Sequence, residues 1–263
     1  MKGNRVILAA HRGDRLKCPE NTMPAFESAV KFGVDMIETD VRMSLDGELV
    51  IIHDRSALRT TGVDKNIDEM TLSEIRELDA GKEFSKDFIG TRIPTVNEFV
   101  DFVKDKDILV NWELKIYPSD FSDEYAFSVA DKLIKIITEN GLADRSMLNS
   151  FSSRVLEYIR KKYGDIFVLH GQGIHNCRRS KDDPEIGEKD IFDWCCLYPE
   201  QKGKLAIDYK ENFDYCSENG ILPCICIPDN YDDYKKAIEY GCKMFTSNDI
   251  YACDTILKKL KVR

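Results

Sequence analysis

Short apolar runs alternate with longer amphipathic stretches along most of the chain, and this alternation restricts the fold more than any single residue does. Residues 6–10, 34–40, 108–114, 147–151, 166–170, 193–198, 221–227 and 243–247 read as strands. Helical patterns fall between them at 22–32, 96–103, 125–139, 154–163, 204–218, 232–240 and 250–260. Buried parallel strands read as near-continuous apolar runs, and helices that cover a sheet show one apolar stripe. Roughly eight strand–helix units in 263 residues favour a closed (β/α)8 barrel over an open doubly wound sheet. A dinucleotide-binding sheet would need Gly-x-Gly-x-x-Gly after its first strand. Here that strand runs into His11-Arg12-Gly13 instead.

The chain reads as one domain, 1–263, with one irregularity. A further strand at 49–53 follows Asp46-Gly47, a strong hairpin signal. Residues 55–92 are then polar, with one short helical pattern at 72–78, and are expected to form an insertion subdomain after the second strand unit. Residues 171–189 are polar and turn-rich and read as a loop.

Charge and composition narrow the partners. Asp and Glu number 47 against 38 Lys and Arg, for a net charge of −9. A duplex phosphate backbone and an anionic membrane surface both repel such a chain, so neither nucleic acid nor a stable membrane association is expected. No run approaches the roughly 20 apolar residues that a membrane helix needs. The apolar run at 6–10 is too brief for a signal peptide, so the expected location is the cytoplasm. The nine cysteines include no pair of Cys-x-x-Cys motifs for zinc, and they read as reduced, small core residues.

Chemistry collects at the C-terminal ends of the expected strands, where barrels carry their reactive groups. The first strand ends in His11-Arg12, the second in Glu38-Thr39-Asp40, the hairpin strand in His53-Asp54 and a later one in Glu113-Leu114-Lys115. Residues two apart on a strand share a face, so Glu38 and Asp40 point together, as do Glu113 and Lys115. Singly, each has a plain structural reading: a strand-end histidine, a solvated carboxylate, an ion pair. Together, three carboxylates in one pocket call for a hard divalent cation, Mg²⁺ or Ca²⁺. Arg12 and Lys115 suit a phosphate, and His11 with His53 can supply an acid/base pair near neutral pH. The set describes a site for a phosphate ester.

The same residues carry a family likeness. Ala10-His11-Arg12-Gly13, Pro19-Glu20-Asn21-Thr22, Ala25-Phe26 and the run from Gly33 to Val41 come in order. Asp46-Gly47, His53-Asp54, Arg59-Thr60-Thr61-Gly62, Thr71, Leu78-Asp79-Ala80-Gly81, Arg92-Ile93-Pro94-Thr95, Glu113-Leu114-Lys115 and Ser150-Phe151 follow. This ordered set resembles the glycerophosphodiester phosphodiesterases, densely over residues 6–115 and thinly beyond. The resemblance implies a (β/α)8 barrel with a small insertion, and hydrolysis of glycerophosphodiesters to an alcohol and glycerol 3-phosphate. It implies one bound Mg²⁺ or Ca²⁺ on Glu38, Asp40 and Glu113, with His11 and His53 as acid and base, and Arg12 and Lys115 on the phosphate. Asn21 or Thr22 is placed to cap the first helix, Pro24 suits its first turn, and Glu20 would brace the loop beside the site.

The chain departs from the family pattern in two places. The seventh strand of the barrel usually carries Trp-Thr, where this chain has Cys224-Ile225-Cys226-Ile227-Pro228-Asp229. Near the last strand the usual Thr-Asp is Thr246-Ser247. Trp194 or Tyr198 could replace the lost pocket wall, with core packing as the plainer role for either. Two other readings keep the same barrel: phospholipase D-like action on intact phospholipids, and a non-catalytic barrel that binds a phosphorylated metabolite. A redox role for the cysteines is weakened by the lack of Cys-x-x-Cys.

Overall fold

A computed structural model describes residues 5–117, 120–172, 191–197, 208, 210–226 and 230–263. In chain order the elements are β1 (Ile7–His11), α1 (Met23–Phe32), β2 (Met36–Met43), β3 (Leu49–Ile51), α2 (Leu58–Thr61), α3 (Leu72–Arg76) and α4 (Val96–Val103). They continue through β4 (Leu109–Leu114), α5 (Asp123–Glu139), β5 (Ser146–Ser150), α6 (Ser153–Tyr163), β6 (Val168–Gln172) and β7 (Trp194–Cys196). Then come α7 (Lys210–Glu218), β8 (Leu222–Cys226), α8 (Tyr231–Glu239), β9 (Met244–Ser247) and α9 (Ile250–Lys259).

Eight parallel strands run in the order β1-β9-β8-β7-β6-β5-β4-β2, and β2 pairs back onto β1 to close the barrel. The short β3 lies antiparallel on β2. Side chains alternate in and out of this wall, and the two sides differ in chemistry. Leu8, Ala10, Ile37, Val110, Trp112, Leu148, Leu169 and Ile225 face outward into one continuous shell with the helices. Ile7, Ala9, Met36, Met147, Trp194, Cys196, Cys224 and Met244 point inward and fill the barrel. Nearer the C-terminal ends the inward positions turn polar: Glu38, Asp40, Asn111, Glu113, Asn149 and His170 are all buried. At roughly 25 cal/mol per Å² the apolar layers drive closure, and the polar layer above them is what needs explaining.

The expected strands and helices are recovered within a few residues, with differences at the ends. β6 extends through Gly171 and Gln172, which the sequence assigned to a loop; the rest of 173–189 lies outside the described residues. β3 stops at Ile51, so His53 sits on the turn beyond the strand and not at its tip. Of the helix expected at 204–218, Lys210–Glu218 is described and helical. Residues 55–92 hold α2, α3 and two 3₁₀ turns, Ile67–Glu69 and Lys86–Phe88. These wrap a small core of Ala57, Ile67, Met70, Ile75, Leu78 and Ala80 that shares Val50, Ile52 and Ile93 with the barrel flank. No disulfide joins the eight described cysteines, and seven of them are buried.

Candidate active site

Strand register brings the three carboxylates together. On the β2–β4 ladder Glu38 faces Asn111 and Asp40 faces Glu113, while on β1–β2 His11 faces Glu38. One oxygen from each of Glu38, Asp40 and Glu113 lies within 4.8 Å of the others, and all three residues are buried. Burial raises the Glu38 carboxyl well above its usual range, and the neighbouring Asp40 and Glu113 add to the rise. Glu113 is raised by burial and by Asp40, against the opposing pull of Lys115. Asp40 goes the other way: burial would raise it, but Lys115 and Arg12 together hold it below the carboxylate range.

The two cations lie among these acids. Lys115 Nζ is 3.3 Å from Asp40 Oδ1 and bonds Glu113. Its own charge is stabilised, since Glu113 and Asp40 outweigh the cost of burial. Arg12 Nε lies 3.2 Å from Asp40 Oδ2, and its Nη1 donates to Glu20 Oε1 at 2.8 Å. Arg12 takes this position with φ of 60°, a left-handed conformation that a non-glycine residue rarely adopts. The next residue, Gly13, has φ +78°, and a Cβ there would meet the Ala25 backbone at 2.8 Å. The loop after β1 is therefore pressed directly onto α1.

Glu20 does brace this loop, through three arginines. Besides Arg12, it accepts from Arg59 Nη2 at 2.6 Å and pairs with Arg15 Nη2 at 2.8 Å. Burial would raise its carboxyl, but Arg59, Arg12 and Arg15 bring it down to about 2. Neither residue expected to cap α1 does so with its side chain. Asn21 instead donates Nδ2–H to Asp40 Oδ2 at 2.7 Å, and the Thr22 hydroxyl donates to the carbonyl of Pro19. Asn21 Oδ1, the atom a cap would use, accepts instead from the Thr39 hydroxyl at 3.2 Å.

Both histidines reach the same cavity and are oriented through Nδ1. His11 Nδ1–H donates to Asn248 Oδ1 at 2.6 Å, which leaves Nε2 3.9 Å from Glu38 Oε2. Burial, with Arg12 beside it, lowers its pKa to about 4. His53 Nδ1 lies 2.5 Å from Asp54 Oδ1, and Asp54 Oδ2 accepts from Arg59 Nε at 2.6 Å. Burial also lowers the His53 pKa, partly offset by Asp40. Arg42 fixes the His53 turn by donating to the carbonyls of His53 and Lys115 at 2.9 and 3.1 Å.

The cavity measures about 160 Å³. His11, Arg12, Glu38, His53, Glu113 and Lys115 line one side of it, so six of the seven expected site residues share one space. Asp40 stands just behind, against Arg12 and Lys115. Sequence reasoning missed Asn149, His170 and Gln172 on the opposite wall, which Cys226 and Thr246, noted only as departures from the family pattern, complete. All of these are inward positions near strand ends, so register was the signal available. The aromatic wall is Phe151, 5.5 Å from Lys115 Nζ to the ring centroid. Trp194 is packed in the barrel interior and not in this wall, and Tyr198 lies outside the described residues.

The donor set fits a hard divalent cation. Glu38 Oε1 is buried with no hydrogen-bond partner, and three acidic oxygens converge where two carboxyls already resist ionisation. Such a mouth places the protein among (β/α)8 barrels suited to a small anionic molecule held with a cation. The comparisons give the family. Residues 11–180 match the glycerophosphoryl diester phosphodiesterase family, and the chain belongs to it. A glycerophosphodiester phosphodiesterase of Caldanaerobacter subterraneus subsp. tengcongensis is 40% identical over 161 residues, 60% of this chain. That match spans 63% of the relative's length. A putative glycerophosphodiester phosphodiesterase of Bacillus subtilis is 34% identical over 162 residues, 61% of this chain and 63% of the relative.

Solved structures share the fold at low identity. A putative glycerophosphoryl diester phosphodiesterase from Silicibacter pomeroyi superposes with a TM-score of 0.80 at 20% identity, covering 97% of this chain and 94% of that one. A phosphodiesterase of Oleispira antarctica, solved with its product sn-glycerol 3-phosphate, gives 0.79 at 20% identity over 96% of each chain.

Proposed function

We propose that the protein hydrolyses glycerophosphodiesters to an alcohol and glycerol 3-phosphate, with one Mg²⁺ or Ca²⁺ on Glu38, Asp40 and Glu113. The observation that carries this reading is the shared cavity: two oriented histidines, two cations and the carboxylate cluster meet in a space sized for a phosphoester head. Arg12 and Lys115 hold the phosphate oxygens, Arg12 as a planar donor fork and Lys115 as a point charge. Bound there, the cation supplies charge stabilisation for the non-bridging oxygens. His11 and His53 divide the proton work. One takes a proton from the nucleophile, water or the glycerol 2-hydroxyl, and the other gives one to the leaving alcohol oxygen. A reaction through the glycerol 2-hydroxyl passes through a cyclic phosphate, which water then opens.

The substrate is a small molecule, and the expected setting is the cytoplasm. Among the described residues no helix is long and apolar enough to cross a membrane. The test is release of glycerol 3-phosphate from glycerophosphocholine, glycerophosphoethanolamine and glycerophosphoglycerol, each with EDTA, Mg²⁺ or Ca²⁺. Cation-dependent release from at least one supports the reading and ranks the head groups. No release under any condition overturns it in favour of another phosphodiester or a binding barrel.

A further inference from the structure

A second cluster of metal-ligating side chains occupies the barrel interior across from the carboxylates. β6, β7 and β8 are neighbours in the sheet, on the side away from β2 and β4. Their inward positions carry His170, Cys196 and Cys224, with Cys226 two residues further along β8 on the same face. One ligand atom from each of His170, Cys196 and Cys224 lies within 4.8 Å of the others, and all three residues are buried. Cys224 Sγ is 3.1 Å from His170 Nε2, and Cys196 Sγ is 3.0 Å from Cys226 Sγ. His170 and Cys226 also line the cavity, so a small ion can reach the cluster through it.

We propose that His170, Cys196 and Cys224 form a site for a thiophilic d¹⁰ cation, Zn²⁺ or Cu⁺, separate from the carboxylate site, with Cys226 Sγ beside Cys196. Two sulfurs and one imidazole match the Cys₂His set of a tetrahedral zinc site that keeps its fourth position open. Bonds of about 2.3 Å to sulfur and 2.0–2.1 Å to nitrogen put tetrahedral ligands roughly 3.6–3.8 Å apart. The Cys224–His170 pair at 3.1 Å needs to open by about half an ångström to reach that. A second observation comes from Asn111, whose Nδ2 lies 3.3 Å from His170 Nδ1 while its buried Oδ1 has no partner. A half-turn of this carboxamide lets Oδ1 accept from Nδ1–H and frees the Nε2 lone pair. That is the second-layer support usual for a metal-bound imidazole.

Ligand softness separates the two sites. Carboxylate oxygens suit Mg²⁺ and Ca²⁺, while thiolates and imidazole reject them in favour of softer ions. Burial raises the Cys224 thiol to about 12, so binding the ion must release protons to solvent. The ion would tie three adjacent strands together next to the catalytic cavity. This inference stands whether or not the protein is a phosphodiesterase.

The test uses the full chain, kept reduced and stripped with a chelator. Titration with Co²⁺ alone should give a thiolate charge-transfer band that saturates at one equivalent per chain. Zn²⁺ should abolish the band, and excess Mg²⁺ or Ca²⁺ should leave it unchanged. Cys196→Ala and Cys224→Ala should each weaken binding at least about tenfold. Glu113→Gln, in the other cluster, and Cys216→Ala, on α7, should keep the band. X-ray absorption of the wild-type zinc-loaded protein covers the case where cysteine variants fail to fold. A first shell with two or three sulfurs supports the site. A shell of oxygen and nitrogen only, or a band that survives in the Cys196→Ala/Cys224→Ala double variant, overturns it.

Discussion

His11 and His53 are anchored in unlike ways, and the difference gives each residue a distinct expected signature. His11 leans on a neutral carboxamide, Asn248, and sits deeper; His53 leans on the Asp54 carboxylate, itself held by Arg59. His11→Ala and His53→Ala should each lower turnover about 10²–10⁴-fold while leaving the fold intact. A nitrophenyl ester of glycerol phosphate then separates their roles, because a good leaving group needs no proton. The variant lacking the acid should recover most of its activity on that substrate, and the variant lacking the base should stay slow. Near wild-type turnover on natural diesters would remove that histidine from the mechanism. Glu113 has its own signature. Glu113→Ala should weaken cation binding and recover partly at high Mg²⁺ or Ca²⁺, whereas an unchanged cation dependence would exclude it as a ligand.

At the scale of elements, the loop between β1 and α1 does the positioning. Arg12 at φ 60° and Gly13 at φ +78° turn the chain sharply, and the backbone N–H of Asn21 closes the loop on the carbonyl of Arg12 at 3.0 Å. Gly13→Ala combines an unfavourable backbone with a contact of 2.8 Å against Ala25. It should cost at least about 1–3 kcal/mol in a urea titration and lower activity by moving Arg12. A stable, fully active variant would show that the loop has slack. The sequence already carried most of the elements, because apolar runs such as 108–114 and the i, i+2 pairs Glu38/Asp40 and Glu113/Lys115 report strand and face directly. It could not carry what depends on register between distant strands. Asn149, Gln172 and Thr246 look like ordinary strand polars until the barrel closes around them. His170, Cys196 and Cys224 form no local spacing motif, since each comes from a different strand. Asn21, read as a helix cap, was recruited by a carboxylate 19 residues away.

For the molecule as a whole, the buried acids make stability depend jointly on pH and on the cation. Glu38 and Glu113 have folded-state pKa values above their ordinary ones. The stability they contribute is complete below the unfolded-state value near 4.3 and is lost as pH rises through the folded values. A chelated protein therefore loses stability as pH rises and these acids ionise beside one another, and a divalent cation at the cluster relieves that repulsion. At about 100 times its Kd a ligand adds about 2.7 kcal/mol, which for a chain of this size corresponds to roughly 5–10 °C in Tm. The gain from Mg²⁺ or Ca²⁺ should reach that range near pH 7.5 and be smaller at pH 5, because protons compete with the cation for the oxygens of Glu38 and Glu113. His11 and Glu20, whose pKa values are lowered, destabilise the fold as pH falls, with or without added cation. Comparing melting curves with and without cation at each pH removes that common slope. Equal shifts at the two pH values, or a shift retained in Glu38→Gln, would place the cation away from this cluster.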